Sequence, residues 1–213
     1  VLGDAPLPVT TRALEPNPAP PQRWPFVSIH VACRNEPAEM MKQTIASLLA
    51  LDYPAFEIIV IDNNTPDEAT WRPLEAYCRR FPGKVHFHVL KDWPGFKAGA
   101  LNYGLTVTSP EAAIIAVIDA DYLVDRDWLK ATVPLFEDPL VAVVQAPQDH
   151  RDCEGSAFER MAGDEYSGFF KIGMVQRNED NAIIQHGTMT LISRSALEHA
   201  GRWAQWCIVE DAE

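Results

Sequence analysis

The chain has no apolar run long enough to span a bilayer: its longest, residues 112–118, falls far short of the ~20 residues a membrane helix requires. Paired cysteines are also missing. Cys33, Cys78, Cys153 and Cys207 are scattered with no CxxC spacing, which argues against a disulfide frame or zinc site and reads as free thiols in a reducing compartment. Positive charge is scarce. Eighteen Lys+Arg stand against thirty Asp+Glu, a net charge of −12, so neither nucleic acid nor an anionic membrane surface is expected as a main partner. A phosphate-bearing substrate would meet the same repulsion unless a cation were recruited with it. GxGxxG, GxxxxGK[ST] and GxSxG are all absent. Their absence removes the sequence support for a dinucleotide oxidoreductase, a P-loop NTPase and a serine hydrolase.

What is present suits one sizeable core, with 213 residues and 47% hydrophobic content. Residues 1–25, rich in proline (Pro16, Pro18, Pro20, Pro21), read as a linker or strap with no signal-peptide character. A chain that opens on Val1 and stops at Glu213 reads as an excised piece. From Phe26 onward, apolar runs at 26–32, 56–61, 112–118 and 140–144, with a further strand candidate at 85–90, alternate with helical periods. Pro37 opens a helix with Met40, Met41, Thr44, Ile45, Leu48 and Leu49 on one face. Thr65-Pro66-Asp67-Glu68 reads as a capping box with proline at the first helical position. A glycine-punctuated helix runs through 97–105. Continuous apolar runs mark strands buried on both sides, so the fold class is α/β: a mostly parallel sheet with helices on both faces. The second half predicts a helix within 155–175, a short strand pair around 183–192, and a capped helix near Ser193.

In such a sheet the strand C-termini share one edge, where ligands bind. Polar residues stand at those ends: Arg34, Asn35 and Glu36, then Asp62, then Asp119 and Asp121. Carboxylates converging there repel one another unless something positive lies between them, although each alone serves equally well as a turn or helix cap. Asp119-Ala120-Asp121 could grip Mg²⁺ or Mn²⁺ through hard oxygens. Alone the motif also fits a solvated turn. A phosphatase-type nucleophile would want Thr or Val two positions on, and Val124 lies one too far. Glu210 and Asp211 follow Trp203, Trp206, Cys207 and Ile208. Apolar surroundings raise carboxylate basicity and suit a general base, and an acidic helix start reads the same way. His86 and His88 lack a third ligand and read as structural. His150 and His186 are better placed, with Gly187 permitting close backbone approach to a ligand. Phe169, Phe170 and Met174 read as core.

The ordered motifs Val27–His30 through Asn35-Glu36-Pro37, Val60-Ile61-Asp62-Asn63-Asn64, Lys97–Asn102, Asp119-Ala120-Asp121, Gln185–Thr188 and Glu210–Glu213 resemble the catalytic domain of family 2 inverting glycosyltransferases. Over residues 26–213 the chain is most similar to membrane-embedded bacterial β-glucan synthases of the β-1,3, cyclic-glucan and cellulose-synthase kind. The resemblance implies a GT-A nucleotide-sugar fold, a UDP-glucose donor and a β-glucan acceptor. It implies that Glu36 and Asp62 hold uridine, that Lys97 and Asp119 lie at the donor, and that Asp121, with Asp119, meets Mg²⁺ or Mn²⁺. It implies Asp211 as the base beside Glu210, with His186, Gly187 and Thr188 toward the acceptor. It further implies a parent chain at the cytoplasmic face of the bacterial inner membrane, with transmembrane segments absent from this soluble stretch. Two departures stand out. Val209 replaces the family's usual Thr, and Arg202-Trp203 is not the family's Gln-x-x-Arg-Trp; with that acceptor-side element expected to lie outside this stretch, sugar transfer by it alone is expected to be poor. A sugar-nucleotidyltransferase is an alternative, but Cys33-Arg34-Asn35-Glu36 offers no glycine-rich phosphate loop. A non-catalytic nucleotide-sugar-binding domain would be indifferent to loss of Asp211.

Overall fold

The computed structural model describes residues 23–149 and 155–207. They belong to two compact units: residues up to Gln145 together with those from Gln185 onward, and the segment 146–184. In chain order the elements are β1 (Phe26–Cys33), α1 (Ala38–Leu49), β2 (Phe56–Asn63), α2 (Glu68–Cys78), β3 (Val85–Leu90), α3 (Phe96–Val107), β4 (Ala112–Val117), α4 (Trp128–Thr132) and β5 (Val143–Gln145). The second unit contributes α5 (Ala157–Gly168) and α6 (Met174–Glu179). The first resumes with β6 (Thr190–Ser193) and α7 (Arg194–His199).

The sheet order is β3-β2-β1-β4-β6-β5. β1 to β4 pair in parallel, and β6 runs antiparallel to both β4 and β5. The expected mostly parallel α/β sheet is therefore present. Ile59 and Ile61 pack with Leu90 and Ala100, while Ile115 and Val117 pack with Ala98, Leu101, Ile192, Leu197 and Trp203. That puts α3 and α7 on one face. Strand side chains alternate, so Ile58 and Val60 turn the other way, and every β2 residue is buried. Each such Ile or Val contributes roughly 1.5–3 kcal/mol of burial.

Several expectations change. The pair around 183–192 is one strand, β6, because Gly187 (φ +69°) and Met189 (φ +52°) take left-handed backbone that no ladder accepts. The fifth strand starts later than expected, at Val143. Thr65 does not cap α2: Asp67 does, accepting from the Ala69 N–H at 2.9 Å, and Pro66 precedes the cap. In the second unit, Ser156 caps α5 by accepting from the Glu159 N–H. A π-helical turn at Phe169–Gly173 joins α5 to α6. Phe170 and Met174 are buried as expected, but Phe169 is 37% exposed.

Candidate active site at the C-terminal edge of the sheet

The β1 and β2 ends form the first wall. Cys33 lies opposite Asp62 in register. The Thr65 hydroxyl donates to Asp62 Oδ2 (2.7 Å) and accepts the Asn35 N–H (2.8 Å), and the Thr65 N–H reaches Asp62 Oδ1 at 3.2 Å. Burial raises the Asp62 carboxyl from its ordinary value, while these Thr65 bonds pull it back. Burial, reinforced by Asp62 and Glu36, pushes the Cys33 thiol far up, so it is not a nucleophile. Glu36 is raised first by partial burial and then by the charges of Asp121 and Asp119. The ends of β1 and β4 thus place three carboxylates within one another's field.

The second wall is the start of α3. Asn64 Nδ2 donates to Trp93 O (2.7 Å), and the Trp93 N–H donates back to Asn64 Oδ1 (2.8 Å). Asn63 Nδ2 donates to Phe96 O at 2.7 Å, holding Phe96 at φ +52°. Lys97 then reaches across the edge, with Nζ 2.7 Å from Asp119 Oδ1 and donating to Gly187 O at 2.8 Å.

The Asp119-Ala120-Asp121 turn is pinned along its backbone. The Ile118 N–H donates to His30 O (3.1 Å), the Asp119 N–H to Thr188 Oγ1 (2.9 Å), and Thr44 Oγ1 donates to Ala120 O (2.7 Å). Glu36, Asp62, Lys97, Asp119, Asp121, His186, Gly187 and Thr188 all belong to this edge. Glu210, Asp211 and His150 lie outside the described residues. His86 sits 3.8 Å from Glu57, and His88 Nδ1 pairs with Tyr103 Oη at 3.1 Å, consistent with structural roles. Among the described residues, no group of three or more His, Cys, Asp or Glu side chains is arranged to hold a metal by itself, and no helix is long and apolar enough to cross a membrane.

Three contributors escaped sequence reasoning. Thr44 looked like part of an apolar helix face, Thr65 like a cap, and Gln145 lay just past the 140–144 run with nothing to single it out. Thr44 and Gln145 were hidden by the sequence distance to their partners, Thr65 by its cap-like spacing.

Residues 28–201 match Glycosyl transferase family 2. The chain belongs to that family. Among the members it resembles, the UDP-forming cellulose synthase catalytic subunit of Pseudomonas fluorescens is 31% identical over 90% of this chain and 26% of its own length. Cellulose synthase 1 of Komagataeibacter xylinus is 28% identical over 94% and 13%. A probable glucomannan 4-beta-mannosyltransferase of Oryza sativa is 28% identical over 89% and 37%. The chain therefore spans well under half the length of these family 2 proteins. In fold it is similar to a mannosyltransferase from Pyrobaculum calidifontis solved with GDP-Man and Mn²⁺: TM-score 0.68, 23% identity, covering 94% of this chain and 52% of that one. Staphylococcus aureus TarS solved with UDP gives a TM-score of 0.63 at 17% identity, covering 88% and 53%. The GT-A architecture expected for family 2 is thus present.

Proposed function

We propose that this family 2 domain binds UDP-glucose with Mg²⁺ or Mn²⁺ and transfers glucose, with inversion, to the end of a growing β-glucan in the longer protein. The observation that carries this reading is the mutual field of Glu36, Asp119 and Asp121 on a rim where Lys97 is already engaged with Asp119. A diphosphate brought there needs further positive charge. The oxygen donors of Asp119 and Asp121 fit a hard divalent ion, which commonly completes its shell with substrate phosphate and water. When bound, such an ion would offset the negative charge that develops on the departing UDP.

Every other step falls to the chain's own groups. Asp62, set by Thr65, presents an acceptor to the nucleobase, with Glu36 beside it. Lys97 stands between Asp119 and the Gly187 carbonyl, where it meets the donor. His186, Gly187 and Thr188 border the acceptor side. Asp211, with Glu210, takes the acceptor hydroxyl proton as the acceptor oxygen bonds to the anomeric carbon from the face opposite the breaking sugar–phosphate bond; UDP departs, and this single displacement makes the transfer inverting. The cellulose synthase relatives support a glucosyl donor. The glucomannan mannosyltransferase relatives and the GDP-Man-bound fold neighbour support a GDP-mannose alternative.

Calorimetry with UDP and GDP, each with and without Mn²⁺, separates these readings. Metal-dependent UDP binding that is lost in Asp121→Ala is the expected result. Binding of UDP that ignores the metal would remove Asp121 from the mechanism, and preference for GDP would move the donor to mannose. In the full-length protein Asp211→Asn should bind UDP normally and lose turnover, whereas unchanged turnover would remove Asp211 as the base.

A further inference from the structure

We propose that Gln145 is a positioning residue. Its side-chain amide shapes the 186–190 turn so that the turn can hold the Asp119 backbone and Lys97 in place, and this role rests on reading the edge as a nucleotide-sugar site. Gln145 ends β5 directly opposite Thr190 of β6. Its Nε2 donates to Thr188 O at 3.0 Å and Met189 O at 3.4 Å. Its Oε1 accepts the His186 N–H at 3.0 Å and the Thr190 hydroxyl at 2.5 Å. Thr188 and Thr190 are buried, so groups left without partners there would be costly.

The turn needs this outside support. Met189 is a bulky residue at φ +52°, a conformation unfavourable for any side chain and held only where its surroundings over-determine it. A primary amide offers two donors and an acceptor on one rigid plane. A carboxylate or an aliphatic chain of the same length cannot supply both. From the turn so fixed, two bonds run to the site: Thr188 Oγ1 accepts the Asp119 N–H at 2.9 Å, and Gly187 O accepts Lys97 Nζ at 2.8 Å. The route from Gln145 to the aspartate turn therefore runs through Thr188, whose carbonyl is held by Gln145 and whose hydroxyl oxygen accepts the Asp119 N–H.

The test uses this chain, with amide exchange followed by NMR and UDP affinity in Mn²⁺ followed by calorimetry. Gln145→Met keeps length and volume and makes none of the bonds; Gln145→Glu keeps the acceptor for His186 and loses the donor. In Gln145→Met the Asp119 and His186 amides should exchange ~10-fold faster, the worth of one lost hydrogen bond, while the Ile29 and Ile59 amides in β1 and β2 keep their rates. UDP affinity in Mn²⁺ should fall about tenfold with it. Gln145→Glu should retain protection at His186 and lose it at Asp119. Unchanged exchange at Asp119 overturns the proposal. So does faster exchange spread evenly over the sheet, which would make Gln145 a general stabiliser, or a loosened Asp119 amide with unaltered UDP affinity. If the parent chain itself binds no nucleotide, the nucleotide-sugar reading fails, and the amide rates alone uphold or overturn Gln145's hold on Asp119.

Discussion

Gly99→Ala should both weaken the fold and damage the site, although alanine is the better helix former. Gly99 lies in α3, two residues after Lys97. A Cβ at Gly99 would stand 2.9 Å from the Pro94 carbonyl carbon, nearer still to its oxygen, and 3.4 Å from Trp93 Cδ1. Trp93 Nε1 also donates to Gly99 O at 2.9 Å, so the 93–95 loop lies against this face of the helix. Replacing a helical glycine by alanine contributes about 1 kcal/mol. Overpacking costs about 1–3 kcal/mol, and the obstacle here is backbone, not a flexible side-chain tip, which places the cost at the upper end. The net expectation is a loss of about 2 kcal/mol. The loop can relieve the clash only by moving, and it leads through Gly95 and Phe96 straight into Lys97. Losing the charge-assisted contact from Lys97 costs about 1.5–3 kcal/mol, or roughly 10–100-fold in UDP affinity.

Urea unfolding and calorimetry read the two effects. Gly168→Ala is the control: Gly168 is helical (φ −62°) at the end of α5, with nothing within 4 Å of the added methyl, so it should gain up to about 1 kcal/mol. If Gly99→Ala matched the parent chain or the control in stability, the Pro94 loop would be pliable, and close approach would not be the reason for that glycine.

The Asp62→Asn variant should be more stable than the parent at pH 7 and lose UDP affinity. Burial raises the folded carboxyl's pKa, so the contribution of the protonated group is fully present below about 4 and is lost as pH rises through the raised value. The advantage of Asn must therefore shrink as pH falls toward 4, and a variant less stable at pH 7 would refute the assignment. His30 is pushed down to about 3 by burial and by Arg194, so its ring should show no NMR titration between pH 7.5 and 5. The unfolded chain takes up the proton instead, costing about 2 kcal/mol of stability by pH 5; a titrating ring in that range would contradict it. Phe96→Gly should add about 1 kcal/mol by releasing a left-handed backbone, as read by denaturant midpoint, and a destabilised variant would show that the ring contributes more than the backbone costs.

The buried strands were legible because both faces of the sheet are covered. Their sequences are mostly apolar, β4 wholly so, and β3, although interrupted by His86 and His88, falls on the expected residues 85–90. The acidic rim was legible for a topological reason, since every parallel strand must end at the same edge. Local rules failed where a residue took a partner other than the one its spacing suggests. Thr65 has the spacing of a cap, but the Asp62 carboxylate captures its hydroxyl. Met189 carries no mark of left-handed backbone, and residues 183–189 read as strand because their apolar content says nothing of φ. Gln145 was invisible as a site contributor because its partners lie some forty residues away.

Strand direction decides whether the two halves of the site can meet. β4 delivers its C-terminal end to the rim, and β6 lies beside it with Val117 opposite Thr190. Because β6 runs antiparallel, the residues just before it, 186–189, arrive beside 118–121. A parallel β6 would place its own beginning at the far end of the sheet, about 10–13 Å away for a strand of this length, and Thr188 could not accept the Asp119 N–H. The one reversed strand, β6, therefore couples the turn that holds the aspartates to the turn proposed to face the acceptor. It also engages Lys97 with both at once. On a chain of net charge −12, a lysine already shared between Asp119 and the Gly187 carbonyl cannot alone offset an incoming diphosphate. The same reversal that assembles the rim thus supports the proposal that a divalent cation enters with the donor.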